Sequence, residues 1–599
     1  MTTNFPKGLS RAAGSSRDGL KLAVAVLALA ASAASAQKQN AQSQEKAPDF
    51  GPNVQVFTPS MPAVEMQSQI DRIYAAQQHS EFGSGRYAFL FLPGEYKLDV
   101  SVGFYTQVAG LGASPDAVHI TGNVHSDASL DHNNATCTFW RGVEGFSVTP
   151  TSGATPAGGT MQWAVSQAVF FRRMHVLGSL VLNQNNGWAS GGWISDSLID
   201  GNVGAGTQQQ WISRNAEWGS WTGSNWNMVF VGVVHPPDGD WPQPPFTRVA
   251  QTPVVREKPF LQVDAEGRYS VRVPALAHDS AGITWRSGAT PGQTIPLSRF
   301  YIGHPGRDTA ANLNAQLAAG KHLLLTPGIY DLTGPIRVTH PDTVVLGLGC
   351  ATLHPDNGTA ALTTADAGGI ILAGLLIDAG EQSSPVLLQV GPAGSKATHA
   401  ANPISLHDVF FRVGGAGVGR AGVNLLINAN DTIIDHTWIW RADHGSGVGW
   451  TKNLSANGLV VNGKNVTAYG LFVEHHQQFQ VLWNGNGGRT YFYQSEIPYD
   501  PPDQASYSSA AGVNGWASYK VADGVTSHQA WGLGIYSVFL KPDVVLTRAI
   551  EVPHAQGVEF HHIITVALGK LGAISNVIDD AGGSTSIKPW VTPKVTEFP

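Results

Sequence analysis

Short runs of apolar or alternating residues recur along most of the chain. Ala168–Phe171, Leu459–Val461, Gly470–Val473 and Gln480–Trp483 are examples, each mostly flanked by polar residues or glycine. Their spacing is irregular but often close to twenty-odd residues, the cycle of a right-handed parallel β-helix in which each coil contributes two or three strands. Two stretches follow a different period. Met66, Ile70, Ile73 and Tyr74 fall on one helix face, and Leu313 and Leu317 do the same four residues apart. Each helical stretch precedes a block with the same order of landmarks. Pro93-Gly94-Glu95-Tyr96 aligns with Pro327-Gly328-Ile329-Tyr330, and Gly110-Leu111-Gly112 aligns with Gly347-Leu348-Gly349. The chain therefore repeats itself, each half opening on a helix that can cap the exposed edge of a solenoid. A β-sandwich would not explain the repeated openings or the lack of clear two-residue hairpin turns. The expected fold is all-β, with two tandem right-handed parallel β-helices and short capping helices.

Composition refines this picture. Of 599 residues only 13% are charged, whereas Gly (69) and Pro (35) are abundant, as tight turns require. The net charge is -7, with no basic run beyond a few residues, which argues against nucleic acid as a partner. Cys137 and Cys350 lie in different halves and read as two free thiols rather than a disulfide. Near the N-terminus, basic residues Lys7, Arg11, Arg17 and Lys21 precede the apolar run Leu22–Ser32 and the small-residue site Ala34-Ser35-Ala36. This is the order of an export signal, and the run is too short to span a bilayer comfortably. The expected organisation is a signal over residues 1–36, a polar linker over 37–52, a first β-helix over 53–234, a Pro-rich connection over 235–296 and a second β-helix over 297–599. The mature protein is expected to be secreted or periplasmic, without a membrane anchor, and a monomer.

Candidate chemistry concentrates in Leu471–Pro502, LFVEHHQQFQVLWNGNGGRTYFYQSEIPYDPP. Glu474 and Glu496 lie 22 residues apart, about one coil. Successive coils sit about 4.8 Å apart, so both would stand on one wall. Paired carboxylates are what glycoside hydrolysis needs. Phe479, Trp483, Tyr491, Tyr493, Gln494 and Tyr499 surround them in sequence. Desolvation and a nearby like charge both raise a glutamate pKa, as a general acid requires. The 17 tryptophans offer flat faces for sugar stacking, with core packing as the other reading. Neither cofactor nor metal is expected: the pairs His475-His476 and His561-His562 point to opposite faces of a strand. Asp435, His436, Asp443 and His444 are read as a hydrogen-bonded stack rather than as cleft lining. No strand–GxxxxGK–helix context and no Gly-x-Ser-x-Gly elbow is present.

The segment YFYQSEIPYDPP resembles the Gln-x-Glu-x-Pro-Tyr motif around the general acid of glycoside hydrolase family 55, and FVEHHQQFQ resembles that family's Val-Glu-His stretch. In the first half MQWAVSQAVFFRRMHV, NQNNGWASGGWISDSLIDG and QQQWISRNAEW resemble its Trp-x-Val-x-Gln, Gly-Ser-Gly-Gly and Asn-Gln-Gln runs, and TPVVREKPF has a counterpart in its linker. The similarity covers roughly residues 53–580 in the family's order. It implies pectate-lyase-like tandem β-helices that cleave β-1,3-glucan, in exo fashion and with inversion. Carried over residue by residue, Glu496 is the general acid and Glu474 the base-side carboxylate that helps hold the attacking water. Gln167 and Ser190 orient that water, with Gln162 and Ser195 as nearest competitors. Trp188, Trp193, Trp483, Tyr493, Tyr499 and Gln494 are expected to bind substrate. Ser190 follows Ala189 where the family pattern has glycine. A hydrolase of another polysaccharide and a non-catalytic glycan-binding protein are the competing readings.

Overall fold

Strands from successive passes of the chain lie parallel and in register, so their ladder hydrogen bonds run along the axis of a solenoid. The computed structural model describes residues 47–151 and 159–599. The expected export signal and most of the polar linker lie outside the described residues. Among those described, the first half carries a nine-stranded sheet running from Val54–Phe57 to Phe246–Val249, and an eight-stranded sheet beside it. The second half carries a twelve-stranded sheet that begins at Phe300–Gly303, and an eight-stranded sheet from Ile336–Val338 to Ile550–Glu551. Two tandem parallel β-helices result. One strand departs from the pattern: Lys594–Phe598 closes the larger sheet antiparallel to Gly557–Ala567.

Each solenoid has its own apolar interior. Phe89, Val108, Val143, Phe171, Ile194 and Trp211 stack coil upon coil in the first, and Leu323, Val345, Leu372, Leu406, Ile434 and Ala468 in the second. Full burial of one such Leu, Ile, Val or Phe side chain is worth about 1.5–3 kcal/mol. The two helices sit at the openings of the repeats. Ala63–Gln77 buries Met66, Ile70 and Ile73, whereas Tyr74 turns its hydroxyl to Asp127 at 3.3 Å. Ala310–Ala318 buries Leu313 and Leu317, and the Thr309 hydroxyl caps it by accepting from the Asn312 N–H.

The Pro-rich connection is more ordered than its composition suggests. Phe246–Val249 pairs with Asn227–Val231 and so extends the first solenoid's sheet into it. Thr252–Arg256 pairs antiparallel with Leu276–Ser280, and Phe260–Val263, Tyr269–Pro274 and Gly292–Pro296 form an antiparallel sheet of three. Hairpins, not evident in the sequence, are thus present in the connection.

A line of left-handed residues shapes the second solenoid. Gly374, Asp408, His436, Gly470, Phe492, Gly532 and His562 stand at one level of successive coils, each with φ between +50° and +72°. A left-handed residue inside a strand acts as a bulge and resets which face the following side chains take. In Thr467–Glu474, Tyr469 and Phe472 face the first solenoid while Ala468, Leu471 and Val473 fill the interior.

The two solenoids meet along an apolar seam. Phe139, Trp140, Trp193 and Ile212 from the first pack with Phe410, Trp438, Trp440, Tyr469 and Phe472 from the second. A buried ionic network lies beside it. Arg172 reaches Asp408 at 2.9 Å and Asp435 at 2.8 Å. Arg214 reaches Asp435 at 2.9 Å and Glu257 at 2.6 Å, and Lys258 bridges Glu144 and Asp408. Phe50–Pro599 pack as one unit.

Candidate active site

Glu474 ends the strand Thr467–Glu474 and Glu496 ends the next strand of the same sheet, Gly488–Glu496. The His475 N–H donates to the Glu496 carbonyl at 2.8 Å, so the two glutamates sit on adjacent coils. They open into a cleft of about 230 Å³ between the solenoids. The first solenoid contributes Thr136, Cys137, Phe139, Gln167, Ser190 and Gln209. The second contributes Trp438, Trp440, Asp443, His444, His475, Tyr499 and Leu568 besides the pair.

Glu474 is fastened from both sides of the seam. Gln167 donates from Nε2 to its Oε1 at 3.1 Å, and Trp438 donates from Nε1 to its Oε2 at 2.8 Å. Burial nevertheless pushes Glu474 up to about 7; the bond from Trp438, the nearby Gln494 amide and the bond from Gln167 oppose the rise, and the Asp443 charge adds to it. Glu496 differs in kind. Among the described residues no side chain hydrogen-bonds its carboxyl. Burial, then the charges of Glu474 and Asp443, raise it well above the ordinary carboxylate range. One carboxylate is held by two donors, and the other has none and is shifted toward its protonated form.

Asp443 and His444 flank the pair. Burial disfavours the Asp443 anion, but the His444 hydrogen bond and the nearby His475 outweigh it and bring Asp443 down to about 2. Burial also disfavours a charged His444; bonds to Asp443, Cys137 and Glu81 outweigh that and push it up to about 12. The expected four-residue stack therefore divides. Asp435 and His436 belong to the buried ionic network, whereas Asp443 and His444 line the cleft. Asp435 and His436 lie within the strand Ile433–Arg441, whereas Asp443 and His444 follow its end.

Gln167 and Ser190 both line the cleft. Gln167 adopts φ +42°, and its Oε1 is buried without a protein partner. The Ser190 N–H donates to Ser166 Oγ at 2.8 Å and its carbonyl accepts from Gln210. Their competitors lie elsewhere: Gln162 bonds Asp127, and Ser195 Oγ accepts from Arg172 and Trp193. Tyr499 lines the cleft with its ring 4.4 Å from that of His475.

Four of the expected substrate contacts need correction. Trp193 is fully buried, its face stacked 5.0 Å from His436 in the seam. Trp483 and Tyr493 point into the second solenoid's interior, where Tyr493 bonds Ser518. Gln494 is buried beside Glu474, outside the cleft lining, with neither polar atom of its amide hydrogen-bonded to protein. Trp188 is 59% exposed, two residues before Ser190, but stands outside the cleft lining. The Trp438–Trp440 pair, stacked at 4.7 Å, had no signal in the sequence beyond its alternation. The two cysteines are unpaired.

Two tandem parallel β-helices closing on a pair of buried glutamates define a glycoside hydrolase. A family model, the LAM55 pectate lyase-like domain, matches residues 300–496. The chain is 47% identical to an exo-β-1,3-glucanase of Streptomyces sp. (strain SirexAA-E / ActE), over 92% of this chain and 90% of that protein. The structure of sacteLam55A from Streptomyces sp. SirexAA-E superposes with a TM-score of 0.89 at 47% identity, covering 92% of this chain and 99% of that one. A glutamate-to-alanine variant of sacteLam55A in complex with glucose matches with the same TM-score at 46% identity and the same coverage. The chain belongs to glycoside hydrolase family 55.

Proposed function

We propose that the protein hydrolyses β-1,3-glucan from a chain end with inversion of configuration, Glu496 acting as general acid. The observation that carries this is the asymmetry of the carboxylate pair: Glu496 buried without a donor, Glu474 tied to Gln167 and Trp438. A protonated Glu496 donates to the departing glycosidic oxygen as the anomeric carbon takes on positive charge. Glu474 accepts a proton from a water on the other side of the sugar ring, and Gln167 Oε1 and Ser190 help orient that water. Attack from the face opposite the leaving group inverts the centre. The linkage and exo action are supported by the name of the 47% identical relative, and a glucosyl unit as ligand by the glucose complex of the related variant.

A neutral sugar is favoured over a uronate. The described cleft lining holds neither lysine nor arginine, and its one cation, His444, is already paired with Asp443 and Glu81, so nothing is left to receive a uronate's carboxylate. Trp188 gives an exposed face on which a further sugar unit can stack. Glu496→Gln is expected to lower kcat on laminarin-type glucan by about 10²–10⁴-fold while leaving the fold intact. Proton NMR during the first minutes of wild-type turnover is expected to show α-glucose before mutarotation. Wild-type rates in the variant, or β-glucose as the first product, would overturn the reading.

A further inference from the structure

Three segments far apart in sequence bring a glutamate, a cysteine and a histidine together at the rim of the cleft. His444 Nε2 lies 2.7 Å from Glu81 Oε1 and 3.8 Å from Cys137 Sγ, and all three ligand atoms lie within 4.8 Å of one another. We propose that Glu81, Cys137 and His444 form a binding site for a borderline-soft divalent cation of the Zn²⁺ class, whose occupation blocks the cleft.

The donor set is one that zinc takes, once Cys137 and His444 each release a proton to solvent as the ion binds: a thiolate, an imidazole nitrogen and a carboxylate oxygen, with one position left over. Tetrahedral zinc with bonds of about 2.0–2.3 Å places its ligands roughly 3.3–3.6 Å from one another. The cysteine and histidine are already near that separation. Measured from His444, the glutamate needs to withdraw by less than about 1 Å, and its side chain is partly exposed. The histidine is also pre-oriented. Its Nδ1 is bonded to Asp443 Oδ1 at 2.9 Å, the carboxylate–histidine–metal arrangement that fixes the ring and aims the other nitrogen at the ion. Phe82 and Trp440 pack against the same ring at 5.6 and 5.3 Å. The fourth position is open, because Cys137 and His444 line the cleft alongside Glu474 and Glu496. A bound ion therefore occupies space that a sugar would enter.

Cadmium reports on the site without substrate, since a Cd²⁺–thiolate bond absorbs in the ultraviolet. Titration of the purified protein with Cd²⁺ is expected to give that band at one equivalent, absent in Cys137→Ser. Glu81→Gln keeps the thiol and is expected to weaken binding at least ten-fold. In glucan hydrolysis, Zn²⁺ is expected to inhibit the wild type reversibly, with chelator restoring activity. Cys137→Ser is expected to need at least ten times more zinc for the same fractional loss. Absence of the band overturns the site. So does a band that survives in Cys137→Ser, which would report the buried Cys350, or equal zinc sensitivity in the two proteins. Because the cadmium band needs no turnover, a protein that binds Cd²⁺ through Cys137 yet cleaves no glucan would refute the functional reading and leave the metal site standing.

Discussion

Under the proposed function, Glu496 is a residue at which a catalytic demand acts against the fold. Its carboxyl is raised well above the ordinary value by burial and by the charges of Glu474 and Asp443. A group whose folded pKa lies above its unfolded one contributes fully below the unfolded value, about 4.3 for glutamate. That contribution is lost as pH rises through the folded pKa. At pH 8 the native state holds either an unfavourable anion or a proton that the unfolded chain would release. Glu496→Gln removes this conflict and is expected to stabilise the protein by about 1–2 kcal/mol at pH 8, with little difference at pH 4. Urea denaturation at the two pH values tests this; an equal gain at both would mean that ionisation is not the cause. The pair itself was legible in the sequence because one coil separates Glu474 from Glu496. The supports were not: Gln167 and Trp438 reach Glu474 from positions 307 and 36 residues away. Trp193 and Trp483 took the core-packing reading, because composition does not say which face of a strand a tryptophan takes.

At the scale of the strand, the left-handed line redirects the side chains that the second solenoid's larger sheet turns toward the seam. Gly470 lies four residues before Glu474 with φ +61°, and a Cβ there would come 2.6 Å from the Trp193 ring. Alanine would add backbone strain and a clash across the seam. Gly583 provides the comparison, since its φ is +80° but nothing lies within 4 Å of its Cβ position. Gly583→Ala is expected to show the strain alone, about 1 kcal/mol. Gly470→Ala is expected to lose a further 1–3 kcal/mol or so from overpacking. It should also lower kcat, because the strand that carries Glu474 must shift. Equal denaturation midpoints for the two variants would show that the seam accommodates the added methyl group. The helices and strand runs were legible from periodicity, and each helix was found where its apolar face predicted. The strand interruptions were not, because Trp, Phe, His, Asp and Gln occupy left-handed positions that sequence reasoning assigns to glycine and asparagine.

Across the whole molecule, the duplicated order of landmarks revealed two solenoids, but what joins them lay beyond sequence. Arg172 meets Asp408 and Asp435 from 236 and 263 residues away, and no local pattern marks a pair at such separation. Both aspartates are fully buried. Burial alone would raise them, but the facing cations outweigh it, Arg172 then Lys258 at Asp408 and Arg214 then Arg172 at Asp435, and hold each far below the usual carboxylate range. A depressed folded pKa gives stability that is present above the unfolded value, about 3.9 for aspartate. That stability is lost as pH falls through the folded pKa. The seam is therefore expected to weaken steeply below about pH 4, opposite in sign to the effect at Glu496. Asp435→Asn removes the anion shared by Arg172 and Arg214 while keeping its shape. It leaves two buried guanidinium groups short of charge, which is expected to cost about 3–5 kcal/mol at pH 7. The variant should also lose part of the wild type's acid sensitivity, so the two denaturation midpoints converge as pH is lowered from 7 to 3. Parallel curves over that range would place the acid-labile step outside the network. Convergence accompanied by loss of glucan hydrolysis in the still-folded variant would show that the charge network holds the halves in the register that brings Gln167 to Glu474.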